Sequence, residues 1–306
     1  MLPIFESILP IFLVVLAGIA LKRAPFIDQG LWRGLEEFGF YILFPLYLFL
    51  TLAQADFDGI AVGPISMVYG AALAVLAAII LAIWPLLRRA GVTAPQFTSI
   101  FQTTTRWNGF AALAIAERLS GGPGIAFIAL LMGVIVIPIN LVNIIVLVWF
   151  GGGQRHLTLL LKKVLGNPLV VGTGAGVIVH VSGIELYAPL ATAFDLLSRS
   201  ALGLGLLMVG AGLKVSDALR PTPAALFAVS VKLVVFPLMV IAATALAGFD
   251  GNTIRLAALA ASVPTAMNGY LLAKQMGGDA NLYAAVATLQ TVAAFFTIPF
   301  ILTIAG

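Results

Sequence analysis

Two short stretches carry the side chains that could do chemistry in an otherwise apolar chain. They are Thr105-Arg-Trp-Asn-Gly-Phe110 and Ser262-Val-Pro-Thr-Ala-Met-Asn-Gly-Tyr270. Their Asn-Gly-aromatic triplets, Asn108-Gly109-Phe110 and Asn268-Gly269-Tyr270, lie 160 residues apart in a chain of 306. Pro264 removes a backbone donor and clashes with the turn before it. Glycine lowers helix propensity by about 1 kcal/mol relative to alanine. An asparagine amide inside lipid must find a partner within the protein. Each stretch therefore reads as a helix broken within the membrane. A broken helix presents N–H groups and the positive end of its dipole to an anion, and free carbonyls to a cation. Arg106 adds a planar fork that suits a carboxylate. The candidate substrate site is Arg106, Asn108, Gly109, Pro264, Thr265, Asn268 and Gly269. A second rank of substrate or ion contacts is Thr105, Asn140 and Gln290, with Asn143 beside them.

Other chemistries lack their residues. The chain has no cysteine, which excludes thiolate metal sites, iron–sulfur clusters and disulfides. It has no His-Glu-x-x-His pattern and no paired acids in the apolar segments. Asp56-Phe-Asp58 is a loop pair, His156 lies in a loop, and His180 has no ligand-like spacing. No metal, cofactor or catalytic set is expected, apart from a coupling Na⁺ or H⁺, and the chain does not read as an enzyme. The pI near 9.5 would point to nucleic acid in a soluble protein, but the basic residues here sit in short loops. No nucleic-acid partner follows.

The elements that must position the two stretches are membrane helices. The chain is 61% hydrophobic and 9% charged, against roughly 25% charged in a soluble domain. Lipid is the solvent this composition requires. A spanning helix needs roughly 20 apolar residues. Ten apolar segments can be read, near 4–21, 36–54, 64–87, 97–119, 125–150, 167–183, 189–213, 223–247, 254–276 and 280–304. Numbering the loops alternately puts Lys22, Arg23, Arg33, Arg88, Arg89, Arg155, Lys162, Lys163, Lys214, Arg220 and Lys274 on one side. Only Arg118 and Arg255 fall on the other. This asymmetry predicts a multi-pass protein with both termini outside.

Five helices per half make the second half enter from the opposite side, so the duplication is inverted. The units are 1–150 and 167–306, joined by a central cytoplasmic loop at 151–166. Ala116-Glu-Arg-Leu-Ser-Gly-Gly122 echoes Ala273-Lys-Gln-Met-Gly-Gly278. In this frame Asn108 lies about 17 Å and Asn268 about 12 Å from the cytoplasmic ends of their spans. Both fall near the midplane of a core about 30 Å thick. Arg106 lies about 14 Å from its nearer end, too deep to snorkel with ease. Plainer roles compete elsewhere: Lys232 reads as snorkelling or structural, and Asp195 with Arg199 as a local i,i+4 ion pair.

Three stretches, Arg106-Trp-Asn-Gly-Phe110, Lys232-Leu-Val-Val-Phe-Pro237 and Pro264-Thr-Ala-Met-Asn-Gly-Tyr-Leu-Leu-Ala-Lys-Gln-Met-Gly-Gly278, resemble the auxin efflux carrier family, which includes bacterial malonate- and malate-type permeases. The resemblance implies an all-α, ten-helix fold of two inverted five-helix repeats, elevator-like and related to the bile-acid symporters. Helices 1, 2, 6 and 7 would form a scaffold and the homodimer contact. Helices 3–5 and 8–10 would form the moving core, with helices 4 and 9 crossing at their breaks. The asparagines there, matched by Asn108 and Asn268, would touch a substrate carboxylate. The family often has proline in or just after the first crossing, whereas Gly109 is followed here by Phe110-Ala-Ala. The short central loop resembles the bacterial members and implies a bacterial inner membrane. The implied activity is secondary transport of small organic anions, dicarboxylates or auxin-like aromatic acids. A symporter of larger amphipathic anions is the alternative.

Overall fold

A computed structural model describes residues 2–54, 62–151, 168–213, 221–266 and 269–306. Asn268 and the 152–167 loop lie outside them. Among the described residues the fold is all helix. In chain order it comprises α1 (Leu2–Lys22), α2 (Gln29–Phe38), α3 (Phe44–Ala53), α4 (Val62–Ala82), α5 (Trp84–Arg89), α6 (Ala94–Thr105) and α7 (Gly109–Gly151). There follow α8 (Pro168–Ser182), α9 (Ala188–Gly212), α10 (Pro223–Ser230), α11 (Phe236–Leu246), α12 (Gly251–Ser262), α13 (Gly269–Gln275) and α14 (Ala280–Ile304). Among the described residues, six helical stretches are long and apolar enough to cross a membrane: Gln29–Ala53, Gly63–Arg89, Ala94–Phe150, Ala188–Gly212, Pro223–Leu246 and Ala280–Ile304.

Helix starts and interruptions follow from local chemistry. Thr93 opens α6 with a capping box, its Oγ1 accepting from Gln96 N while its own N–H donates to Gln96 Oε1. Thr222 caps α10 and Asp279 caps α14. Such side chains satisfy N–H groups that the first turn leaves without intrahelical partners. Two π-helical turns, Gly39–Leu43 and Val231–Val235, each run straight into a Phe-Pro pair, Phe44-Pro45 and Phe236-Pro237. Proline lacks the N–H that would bond one turn back, so the register slips by one residue there. Within α7, Gly121 has φ 57° and ψ −143° and divides two helices. A positive φ of this kind favours glycine. It marks the turn that the sequence places between the fourth and fifth segments.

Asp250 caps α12, accepting from Thr253 N at 3.0 Å and from Thr253 Oγ1 at 2.5 Å. The hydroxyl first, and then the amide, hold this exposed carboxyl below its ordinary value. A depressed folded-state pKa stabilises the fold above the unfolded value near 4 and is lost as acid drops through the lower one. We expect Asp250→Ala to lower the detergent melting temperature at pH 7, by the equivalent of about 0.5–2 kcal/mol. The gap to the unsubstituted protein should narrow toward pH 3.

The helices pack in two groups. In one, α1 lies along α9, and α3 packs on α8 and α9. Backbones meet closely: a Cβ at Gly210 would overlap Val15 O, one at Gly18 would overlap Leu207 O, and one at Gly172 would overlap Pro45 O. Small residues allow such approach where lipid gives no hydrophobic drive to association. In the other, α4 packs on α11, α11 on α12, α6 on α7, and α14 on α6, α10 and α12. A small cluster of Ile100, Ala225, Ala228, Leu282 and Val286 joins the early turns of α6, α10 and α14. At the starts of α6 and α14, Asp279 N donates to Pro95 O and Ser99 Oγ donates to Asp279 O. These three helices therefore begin at one end of the molecule and run side by side.

Candidate functional site

Both stretches singled out in the sequence are breaks, and the breaks touch. Helix α6 stops at Arg106, whose ψ of 158° is extended. Trp107 and Asn108 are non-helical and α7 begins at Gly109. The unwinding occurs without proline. Helix α12 stops at Val263, with ψ 149°, and Pro264 to Ala266 are irregular. Asn108 N donates to Pro264 O at 2.7 Å. One backbone hydrogen bond thus joins the two interrupted helices.

Around it, polar groups are deeply buried. Arg106 is 4% exposed, Asn108 2% and Thr265 1%. Asn108 Oδ1 accepts from Ala111 N, and its carbonyl accepts from Ala112 N, so this residue is the N-cap of α7. Gly109 is buried as the first residue of that helix.

Gln290 of α14 ties the crossing together. Its Oε1 accepts from Thr265 N at 2.9 Å, and its Nε2 donates to Thr103 O at 3.0 Å and to Ala228 O at 3.4 Å. One fully buried amide serves the irregular backbone after α12, the last turns of α6, and α10. Tyr283, two turns earlier on α14, donates its hydroxyl to Ala266 O at 2.5 Å and lies 3.1 Å from Thr265 Oγ1. A Cβ at Gly269 would collide with that hydroxyl, so Gly269 lets α13 start against Tyr283. Arg106 and Tyr283 are close enough to interact electrostatically.

The second-rank residues divide. Thr105 bonds Asn143, whose Nδ2 donates to Thr105 Oγ1 at 3.1 Å and to Ile139 O at 2.8 Å. Asn143 is fully buried, whereas Asn140 is half-buried. Tyr283 is the site residue that the sequence reading missed. Its signal was the face it shares with Gln290, seven residues on, in a largely apolar helix. Lys232 corrects the snorkelling expectation: it is fully buried. Arg199 Nε and Asp195 form the expected local pair at 2.7 Å.

A narrow cleft adjoins the crossing, about 310 Å³ of interatomic space counting its mouth. Asn108, Pro264 and Thr291 line it together with Ile11, Phe12 and Val15 of α1 and Leu206 and Val209 of α9. Its interior has room for about one water. A larger solute at Asn108 requires the cleft to widen.

Residues 154–302 match the family described as membrane transport protein, which is the auxin efflux carrier family. The match covers 149 of the 306 residues, all of them in the second half of the chain. A protein of Rhizobium meliloti (strain 1021) named "Putative malonate transporter" is 31% identical over 140 residues, covering 43% of this chain and 42% of that one. The chain thus matches less than half the length of this relative. The family's description and the relative's name are those of transporters. With the apolar helices, these matches support a multi-pass membrane protein.

Proposed function

We propose that the chain is a secondary transporter of small organic anions, carrying carboxylates across the bacterial inner membrane by alternating access at the helix crossing. The observation that carries this is the Asn108 N to Pro264 O bond beside buried Arg106. It brings a cation and a helix N-terminus to one point between two interrupted helices. Such broken helices at mid-bilayer are how secondary transporters meet charged solutes without lipid-exposed polar backbone.

The same reading takes the fold as ten spans in two inverted repeats with both termini outside. Corresponding stretches end in left-handed glycines, Gly121 at φ 57° and Gly277 at φ 79°, which supports the repeat. The packing groups support the division of labour. The group with α1, α3, α8 and α9 would be the static scaffold, the natural homodimer contact, and the group holding the crossing would slide against it. The largely apolar cleft walls suit sliding, since few polar bonds have to be broken. A coupling Na⁺ would sit on backbone carbonyls at the breaks, and H⁺ coupling is the other form.

The test is uptake of labelled carboxylates into proteoliposomes, with and without Na⁺ and at two pH values. Asn108→Ala removes the side-chain cap of α7, costing about 1 kcal/mol of stability. It should leave a folded protein whose uptake is cut far more than its melting temperature. Uptake unchanged in this variant would sink the assignment of the crossing as the site.

A further inference from the structure

Beyond the crossing, the buried side-chain atoms without a hydrogen-bond partner among the described residues include the Lys232 ammonium and the Gln102 amide, at both its nitrogen and its oxygen. Both side chains are fully buried. The ammonium lies over the Phe236 ring, 4.8 Å from its centroid, a contact that offsets only part of the loss of water. The π-helical turn carrying Lys232 packs against α6, which carries Gln102. A fully buried lysine without a partner is costly to keep, and an apolar residue of the same shape would avoid that cost. An anion arriving from outside would supply the missing partner.

The register of the helices places this group level with Arg106. Thr103 O and Ala228 O accept from the same nitrogen of Gln290, which fixes α6 and α10 against each other. From those carbonyls, Arg106 lies three residues further and Lys232 four, about 4.5 Å and 6 Å along parallel helices. Packed helix axes stand about 8–10 Å apart, within the combined reach of an arginine and a lysine. Past Phe236, Tyr69 continues the packing, its ring 5.7 Å from Phe236 and 6.5 Å from Trp107 between the two site residues Arg106 and Asn108.

We propose that Lys232, with Gln102, is the second anchor of a dianionic substrate, so that the transporter selects dicarboxylates over monocarboxylates. One carboxylate sits at Arg106 and Asn108, and the other meets the Lys232 ammonium and the Gln102 amide. The inference rests on the anion-transport reading and adds specificity-determining residues to it.

The test compares uptake of malonate and succinate with that of propionate and butyrate in proteoliposomes, for the unsubstituted protein, Lys232→Met and Lys232→Gln. The unsubstituted protein should favour the dicarboxylates by roughly 30-fold or more in kcat/KM, as expected when a buried charge loses its partner. Both variants should lose that preference while keeping monocarboxylate uptake and melting, without ligand, at or above the unsubstituted temperature. Three results would overturn the proposal. Both acid classes could fall equally, the dicarboxylate preference could survive, or both variants could fail to fold, which would make Lys232 structural. If the unsubstituted protein moves none of the four acids, the transport reading itself fails, and this inference with it.

Discussion

Gln290→Met should lower the melting temperature in detergent by several degrees and reduce transport with it. The substitution keeps the length and removes both polar atoms. It strands the Thr265 N–H and takes from Thr103 O its side-chain donor, both in the buried crossing. Each buried group left without a partner costs about 1–3 kcal/mol, so the loss is about 2–6 kcal/mol. At roughly 2–4 °C per kcal/mol for a chain above 150 residues, the fall is on the order of 10 °C. Gln290→Glu, buried as the neutral acid, retains the acceptor for Thr265 N and has a single O–H to donate where the amide had two N–H groups, and should fall in between. An unchanged melting curve for Gln290→Met would show that the crossing holds without this strap.

Gln290 also marks where the sequence stopped being informative. The breaks themselves were legible because Pro264, Gly269, Asn108 and Gly109 contradict the apolar helical runs around them, and such local conflicts concentrate at functional sites. Arg106 was legible because a charge so far from either end of a span needs a polar setting. The bonds that assemble the crossing were not. Gln290 reaches Thr103 across 187 residues and Ala228 across 62, and no local pattern encodes the relative register of α6, α10 and α14. The snorkelling alternative for Lys232 failed for a related reason. Its nine residues from the start of α10 measure depth, about 14 Å, but not lateral position. Depth alone permits snorkelling, whereas burial behind α6, α11 and α14 does not. The π-helical turn at Val231–Val235 further rotates the lysine away from the face that a 3.6-residue period assigns it.

Arg106→Ala should cut carboxylate uptake roughly 100-fold or more while leaving the melting temperature without ligand within a few degrees of its original value. The magnitude follows from truncating one partner of a buried charge pair, about 2–5 kcal/mol, at about 1.4 kcal/mol per factor of ten. The fold should tolerate the change because three links between the breaks do not use this side chain. Asn108 N to Pro264 O, Gln290 to Thr265 N, and Tyr283 to Ala266 O all remain. Placing a central arginine in the bilayer itself costs about 2.5–3.5 kcal/mol on the insertion scale, and the alanine removes that cost. Arg106→Lys separates charge from shape: it keeps the positive charge and loses the planar fork, so it should recover part of the uptake but not all. Full recovery would mean that charge alone is read. No loss in Arg106→Ala would move the anion away from the crossing altogether. A melting temperature that collapsed in both variants would instead make Arg106 a structural brace between α6 and the Tyr283 side of the site.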